Sequence, residues 1–200
     1  GEKVKLPFTM GSLDQVPIGT MLEWLNKYNL AIEGEVIVIS DKLDGASAMA
    51  VYSDDGNFHI AYSRGDGVEG ADISRHMRKM QNCPDTVDNG GEAITVRGEN
   101  IFEVATFAYL QQHFFRKDGK PYKNPRNMVA GLFNKVTIAE ALEDTTIIFY
   151  SMFDNDGLPL VDKSNTVGWL NLYVNKPFYD NFVPCRSIEI DVGTNDDSFI

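Results

Sequence analysis

Between Gly19 and Tyr28 the large apolar residues fall at Met21, Leu22, Trp24, Leu25 and Tyr28, a spacing that lines one face of a helix. The period then changes. Glu35 to Ile39 is a β-branched run closing on polar residues and reads as a strand. Ala46 to Tyr52 and Phe58 to Ser63 flank Asp54-Asp55-Gly56-Asn57, the pattern of a β-hairpin. Ala93 to Arg97 predicts another strand, followed by a turn at Gly98-Glu99-Asn100. Ile101 to Phe115 then carries Phe102, Ala105, Phe107, Leu110 and Phe114 and predicts a helix. Pro125 and Asn127 mark a further helix start. Thr146 to Phe153 is a long β-rich run, expected as a central strand. Thr166 to Tyr173 reads as a short helix or loop, and past Asn175 the pattern weakens. Strands and helices do not alternate regularly, so the expected class is α+β with a largely antiparallel sheet. Without repeats or low-complexity linkers, residues 1–200 read as one domain, expected to be incomplete at its C-terminal end.

A chain of 200 residues can bury a core of its own. No apolar stretch approaches the length of a membrane helix, and no basic segment followed by an apolar run opens the sequence, so neither a membrane partner nor a secretory signal is expected. Cys83 and Cys185 are widely separated and lack metal-ligand spacing, which points to a reduced, cytoplasmic protein with no metal-ligating set of its own. Charge changes the picture most. Against 18 Lys and Arg stand 29 Asp and Glu, a net −11 that does not favour a polyanionic partner. The densely basic segment from Arg116 to Arg126 is the local exception, readable as a solvated loop or as a phosphate-binding edge.

Candidate chemistry sits at the ends of successive strands. Lys42-Leu43-Asp44-Gly45 follows the strand Val36 to Ile39, placing a lysine between Asp41 and Asp44. A lysine amine, with an ordinary pKa of about 10.4, must lose its proton before it attacks anything, through desolvation or nearby cations. Taken alone, this motif reads more readily as a surface turn. Ser63-Arg64-Gly65-Asp66-Gly67-Val68-Glu69-Gly70 packs three glycines into a short stretch, implying close backbone approach or tight turns, with Arg64 able to reach a phosphate or ribose. Val96-Arg97-Gly98-Glu99 and Asn124-Pro125-Arg126-Asn127-Met128-Val129-Ala130-Gly131 follow. In that order they suit a cleft for a nucleotide and a metal.

These motifs resemble the adenylation (nucleotidyltransferase) domain of NAD-dependent DNA ligases, especially divergent viral or phage-like forms. Met10-Gly11-Ser12-Leu13-Asp14 is similar to the family's MLSLDN segment, KLDG at Lys42 to Gly45 to its nucleophile motif, and Ser63 to Ser74 to TRGDGxxGEDIT. VRGE ending at Glu99 and NPRNMVAG from Asn124 to Gly131 complete the series. The resemblance implies an α+β, ATP-grasp-like nucleotidyltransferase fold with largely antiparallel sheets. It implies that Lys42 attacks the α-phosphate of NAD, that Asp44 orients Lys42 or helps place the metal and the DNA terminus, that Glu99 binds ribose, and that Arg64 contacts ribose or the nick. Ser12, Leu13, Asp41 and Leu43 line the adenosine pocket, Arg126 and Lys123 bind DNA phosphates, Mg2+ offsets charge at phosphorus, and the partner is nicked double-stranded DNA.

The sequence also departs from the pattern. Ser40 stands where the family has a glutamate that reads adenine, and Asn134 stands where it has an arginine. No DGVVIK-like motif precedes Ile200, so further domains or a second chain are expected to supply the remaining ligase motifs. An ATP-dependent polynucleotide ligase and a non-catalytic scaffold that binds DNA or a partner are the alternative readings. From the charge, duplex DNA is expected to bind this chain weakly, with affinity falling steeply in a salt titration. Tight binding that ignores salt would contradict it.

Overall fold

The structure is a computed structural model that describes residues 3–12, 15–34, 36–80, 82–159 and 185–189. In chain order the elements are β1 (Lys3–Lys5), α1 (Met21–Lys27), β2 (Val36–Ser40), β3 (Ala46–Tyr52), β4 (Phe58–Ser63), β5 (Glu69–Ala71), α2 (Ser74–Met77), β6 (Ile94–Ile101), α3 (Val104–Leu110), α4 (Pro125–Phe133), β7 (Thr146–Phe153) and β8 (Cys185–Glu189). The strands form a four-stranded sheet in the order β4-β3-β6-β7 and two pairs, β1-β5 and β2-β8. Every one of these pairings is antiparallel, so the α+β expectation holds. No helix among the described residues is long and apolar enough to cross a membrane.

The two-residue alternation of β3 divides the molecule. Ala48, Ala50 and Tyr52 face one way, into a core shared with Val96 of β6, Ile147 and Phe149 of β7, and Met128, Val129, Leu132 and Phe133 of α4. Met49 faces the other way, into a small cluster with Leu6 and Met10 flanked by Phe8 and Tyr62. Ser47 shares the Met49 side by the same alternation. Its cross-strand partner is Glu99, and that of Met49 is Arg97. One face of the sheet is therefore a packed core and the other carries polar and charged groups.

Helix α4 begins as its sequence predicts. Pro125 occupies the first turn, where a missing N–H costs nothing, and the Asn124 side chain accepts a hydrogen bond from the Asn127 N–H at 2.8 Å. Its residues at 128, 129, 132 and 133 are buried, which fixes the rotation of the helix on the sheet. Cys83 is also buried; desolvation pushes its thiol up to about 12 although the hydrogen-bonded Tyr52 hydroxyl opposes the shift, so it behaves as a core residue.

The structure corrects several boundaries. The strand expected at Ala93 to Arg97 continues to Ile101, so Gly98-Glu99-Asn100 is strand and not turn. Gly98 is required there because a Cβ would collide with the Ile148 carbonyl of β7, next to a register shift between Arg97 and Gly98. The glycine marks a close approach at a bulge, a signal easily mistaken for a turn. The helix expected over Ile101 to Phe115 is shortened to Val104–Leu110 as a result. Among the described residues β7 pairs only with β6, and its buried positions Ile147, Phe149 and Met152 belong to the core. Strand β8 lies where the pattern had faded, and the expected Thr166–Tyr173 element lies outside the described residues.

Leu132 is fully buried at the contact of α4 with the sheet. Leu132→Ala is expected to cost about 2–5 kcal/mol through lost burial and an unfilled cavity. Urea unfolding with an unchanged slope measures it; a cost under about 1 kcal/mol would show that α4 is not anchored as described.

Candidate active site

The loop 41–45 runs from the end of β2 to the start of β3 and carries Lys42, whose side chain is exposed. Its far end is pinned. The Gly45 N–H donates to Glu99 Oε1 at 3.2 Å, and the Ser47 hydroxyl donates to Glu99 Oε2 at 2.7 Å. Glu99 is only 7% exposed, so these bonds operate away from bulk water, where breaking one is costly. Gly45 explains the glycine of the motif: a Cβ there would strike the Asn100 carbonyl, forcing the loop away from β6. At the same loop Asp44 Oδ1 meets Arg126 Nη2 of α4 at 2.6 Å. Both side chains are at least half exposed, so the pair positions the loop more than it stabilises the fold.

The glycine-rich segment after β4 builds the second wall. The Arg64 N–H donates to the Ser47 carbonyl at 3.2 Å, placing it beside the start of β3. Its guanidinium reaches across to residues near the N-terminus, with Nε donating to the Met10 carbonyl at 3.2 Å and Nη2 to Ser12 Oγ at 2.6 Å. Met10 N–H donates to the Gly67 carbonyl at 2.8 Å. Gly65, at φ +56, takes the left-handed conformation that lets this loop turn back on Glu69.

Arg97 holds the same strap from below. Its Nη2 donates to the Gly11 carbonyl at 2.8 Å, and its guanidinium carbon lies 5.6 Å from the Tyr150 ring centroid. Its buried Nε has no hydrogen-bond partner. Burial pushes the Tyr150 phenol up, with the Arg97 charge and the Ser47 hydroxyl opposing the shift and the Glu99 carboxylate adding to it. Ser47 and Tyr150 thus lie with Arg97 and Glu99, although the sequence reading singled out only the Arg97–Glu99 pair. The signal was there in part: Arg97 and Glu99 are two apart on a strand and must share a face. Tyr150 carried no such mark.

Of the candidate residues, Asp44 meets Arg126 and Arg64 meets Ser12, while Glu99 holds Gly45 and Ser47 at the end of the lysine loop. Asp41 is exposed and Leu43 half-buried in the lysine loop. Leu13 lies outside the described residues. Lys123 is not with this group; it lines a groove on a different face of α4. Among the described residues no group of three or more His, Cys, Asp or Glu is arranged to hold a metal ion. The Arg97 Nε is a buried donor without a partner, and Glu99 keeps acceptor capacity beyond its bonds to Gly45 and Ser47.

Residues 2–175 match the family model of the NAD-dependent DNA ligase adenylation domain. The chain belongs to that family. Among curated relatives, the DNA ligase of Acanthamoeba polyphaga mimivirus is 32% identical over 164 residues, covering 79% of this chain and 23% of that protein. The DNA ligase of Rickettsia prowazekii is 30% identical over 128 residues, covering 64% of this chain and 18% of the relative. The adenylation-domain chain thus spans less than a quarter of the length of these relatives. Of solved structures, an apo mutant of Naegleria gruberi RNA ligase aligns with a TM-score of 0.49 at 14% identity, covering 96% of this chain and 47% of that one. The same ligase with PPi aligns with a TM-score of 0.47 at 15% identity, covering 94% and 46%.

Arg64 is half of the grip on the strap at residues 10–12 in this adenylation domain. Arg64→Ala is expected to raise deuterium uptake at residues 10–12 well above any change in β3 and β6. Equal uptake in the variant and the parent would show that the strap is held by other means.

Proposed function

We propose that this chain is part of one adenylation domain of an NAD-dependent DNA ligase, and that Lys42 is its covalent AMP acceptor. The observation that supports this best is the pinning of the Lys42 loop by Glu99 and Arg126, within a chain that matches the family over residues 2–175. In the first step Lys42 gives up a proton and its nitrogen lone pair attacks the α-phosphorus of NAD. A P–N bond forms, the bridging P–O bond breaks, and nicotinamide mononucleotide leaves with the electron pair. The AMP then moves to the 5′-phosphate of a nick, and the 3′-hydroxyl displaces it to seal the strand.

The remaining roles are those that the motif resemblance implies. Glu99 keeps free lone pairs after its bonds to Gly45 and Ser47 and can accept from a ribose hydroxyl. Arg64, already at Ser12, is set to contact ribose or the nick while Ser12 and Leu13 line the adenosine pocket. Asp44 orients the lysine loop, with Asp41 and Leu43 alongside. Arg126 and Lys123 serve DNA phosphates. Magnesium, when bound with the nucleotide, would offset charge on the phosphates. The proposed setting is intracellular, where NAD and nicked DNA meet, with further domains or a partner chain completing the enzyme. Ser40 and Asn134, which replace a glutamate and an arginine of the motif pattern, favour a second reading: a ligase-like scaffold that binds DNA or a partner without chemistry.

Intact-mass measurement of the protein, completed by its native domains or partner, separates these readings. Incubation with NAD and magnesium is expected to add one AMP, ATP is expected to add none, and Lys42→Ala is expected to abolish the adduct. An adduct from ATP alone would move the assignment to an ATP-dependent polynucleotide ligase. No adduct from either donor would support the scaffold.

A further inference from the structure

Strand β3 opens Ala46-Ser47-Ala48-Met49-Ala50-Val51, so Ser47 is the one polar side chain ahead of Tyr52. Alternation puts Ser47 with Met49 and Val51 on the face away from α4. A hydroxyl in an apolar strand needs a partner, and the antiparallel register supplies one: Glu99 of β6 lies directly across.

Glu99 depends on that hydroxyl in turn. Among the described residues no ion pair reaches this buried carboxylate, so its charge is balanced through hydrogen bonds. Of its two donors, Ser47 at 2.7 Å is closer than the Gly45 N–H at 3.2 Å. A hydroxyl-to-carboxylate bond of about 2.5–2.7 Å is charge-assisted and roughly twice as strong as a neutral one.

Proton inventory extends the chain by one member. Ser47 has a single hydroxyl proton, and Glu99 takes it. The Ser47 oxygen keeps lone pairs, and its side chain also hydrogen-bonds Tyr150 of β7. Burial pushes the Tyr150 phenol up, so it keeps its proton and is the donor in that contact. Tyr150 thus donates to Ser47 and Ser47 to Glu99, an order in which each bond polarises the next. The Ser47 carbonyl meanwhile accepts from the Arg64 N–H, so one small residue touches both walls of the site.

We propose that Ser47 is a positioning residue for Glu99: it presets the carboxylate so that Oε1 keeps the lysine loop while the remaining lone pairs are offered to a sugar hydroxyl of the incoming nucleotide. The proposal rests on the ligase reading for that nucleotide. Removing the hydroxyl leaves the Gly45 bond in place and releases only Oε2. The defect therefore falls on nucleotide binding and not on the attack by Lys42.

The test titrates NAD by calorimetry into the protein completed by its native domains or partner, in EDTA without magnesium, so that binding is read apart from chemistry. Ser47→Ala is expected to weaken NAD binding about tenfold, the order expected for losing one hydrogen bond to a charged group. Ser47→Thr keeps the hydroxyl and is expected to stay within about twofold of the parent. With magnesium and saturating NAD, AMP adduct formation in Ser47→Ala is expected to proceed within about twofold of the parental rate, the pattern of a pure binding loss. Ser47→Cys, similar in volume but a weak donor, is expected to bind as poorly as Ser47→Ala and replaces it if a thermal melt shows that variant unfolded. Unchanged NAD affinity in the alanine and cysteine variants, whatever their melting temperatures, would reduce Ser47 to a structural residue. An equal loss in Ser47→Thr, or a slowed adduct step at saturating NAD, would also overturn the proposal. A parent protein that neither binds NAD nor forms an adduct would sink the ligase reading itself, independently of the variants.

Discussion

Everything at the site depends on one buried carboxylate. Glu99 accepts from the Gly45 N–H and the Ser47 hydroxyl, and so fixes where the lysine loop leaves the sheet. The energetic asymmetry of buried hydrogen bonds gives this its force: the net gain from each bond is modest, but leaving a buried donor or acceptor unpaired costs about 1–3 kcal/mol. Antiparallel pairing sets Ser47 opposite Glu99, and the absence of a side chain on Gly45 lets the loop approach β6. Neither Lys42 nor Asp44 forms any part of that anchor, which leaves both free for other partners. Asp44 takes Arg126, and Lys42 remains exposed.

Much of this was legible in the sequence because it was written locally. Asn124 and Pro125 announce a helix start through hydrogen-bonding chemistry confined to four residues, and the structure has that cap. The hairpin around Asp54 to Asn57 is equally local, and its strands pair as expected. Gly98 was misread because a glycine reports only that a side chain is not tolerated; whether a turn or a neighbouring backbone excludes it depends on β7, some fifty residues later in the chain. Tyr150 was missed for a related reason. Its place near Ser47 and Arg97 follows from the register shift in β6–β7 pairing, which no local pattern encodes.

The two faces of the sheet divide the work of this molecule. The α4 side is apolar and closely packed, and it supplies the burial that stabilises the fold. The opposite side carries a small apolar cluster around Met49, and beside it Arg64 and Arg97 donate to the backbone carbonyls of Met10 and Gly11. Arg126 links the two, since it belongs to the core-packed helix yet ends at the lysine loop.

The strap at residues 10–12 has a history in time as well as a position in space. It is gripped by Arg64 and Arg97, partners 52 to 86 residues further along the chain. On a ribosome, the segment emerges well before either guanidinium exists, and joining ends so far apart carries a loop-closure cost that must be met before the contacts reward it. Docking of the strap is thus a long-range closure, set by arginines on two other parts of the chain and not by its own sequence.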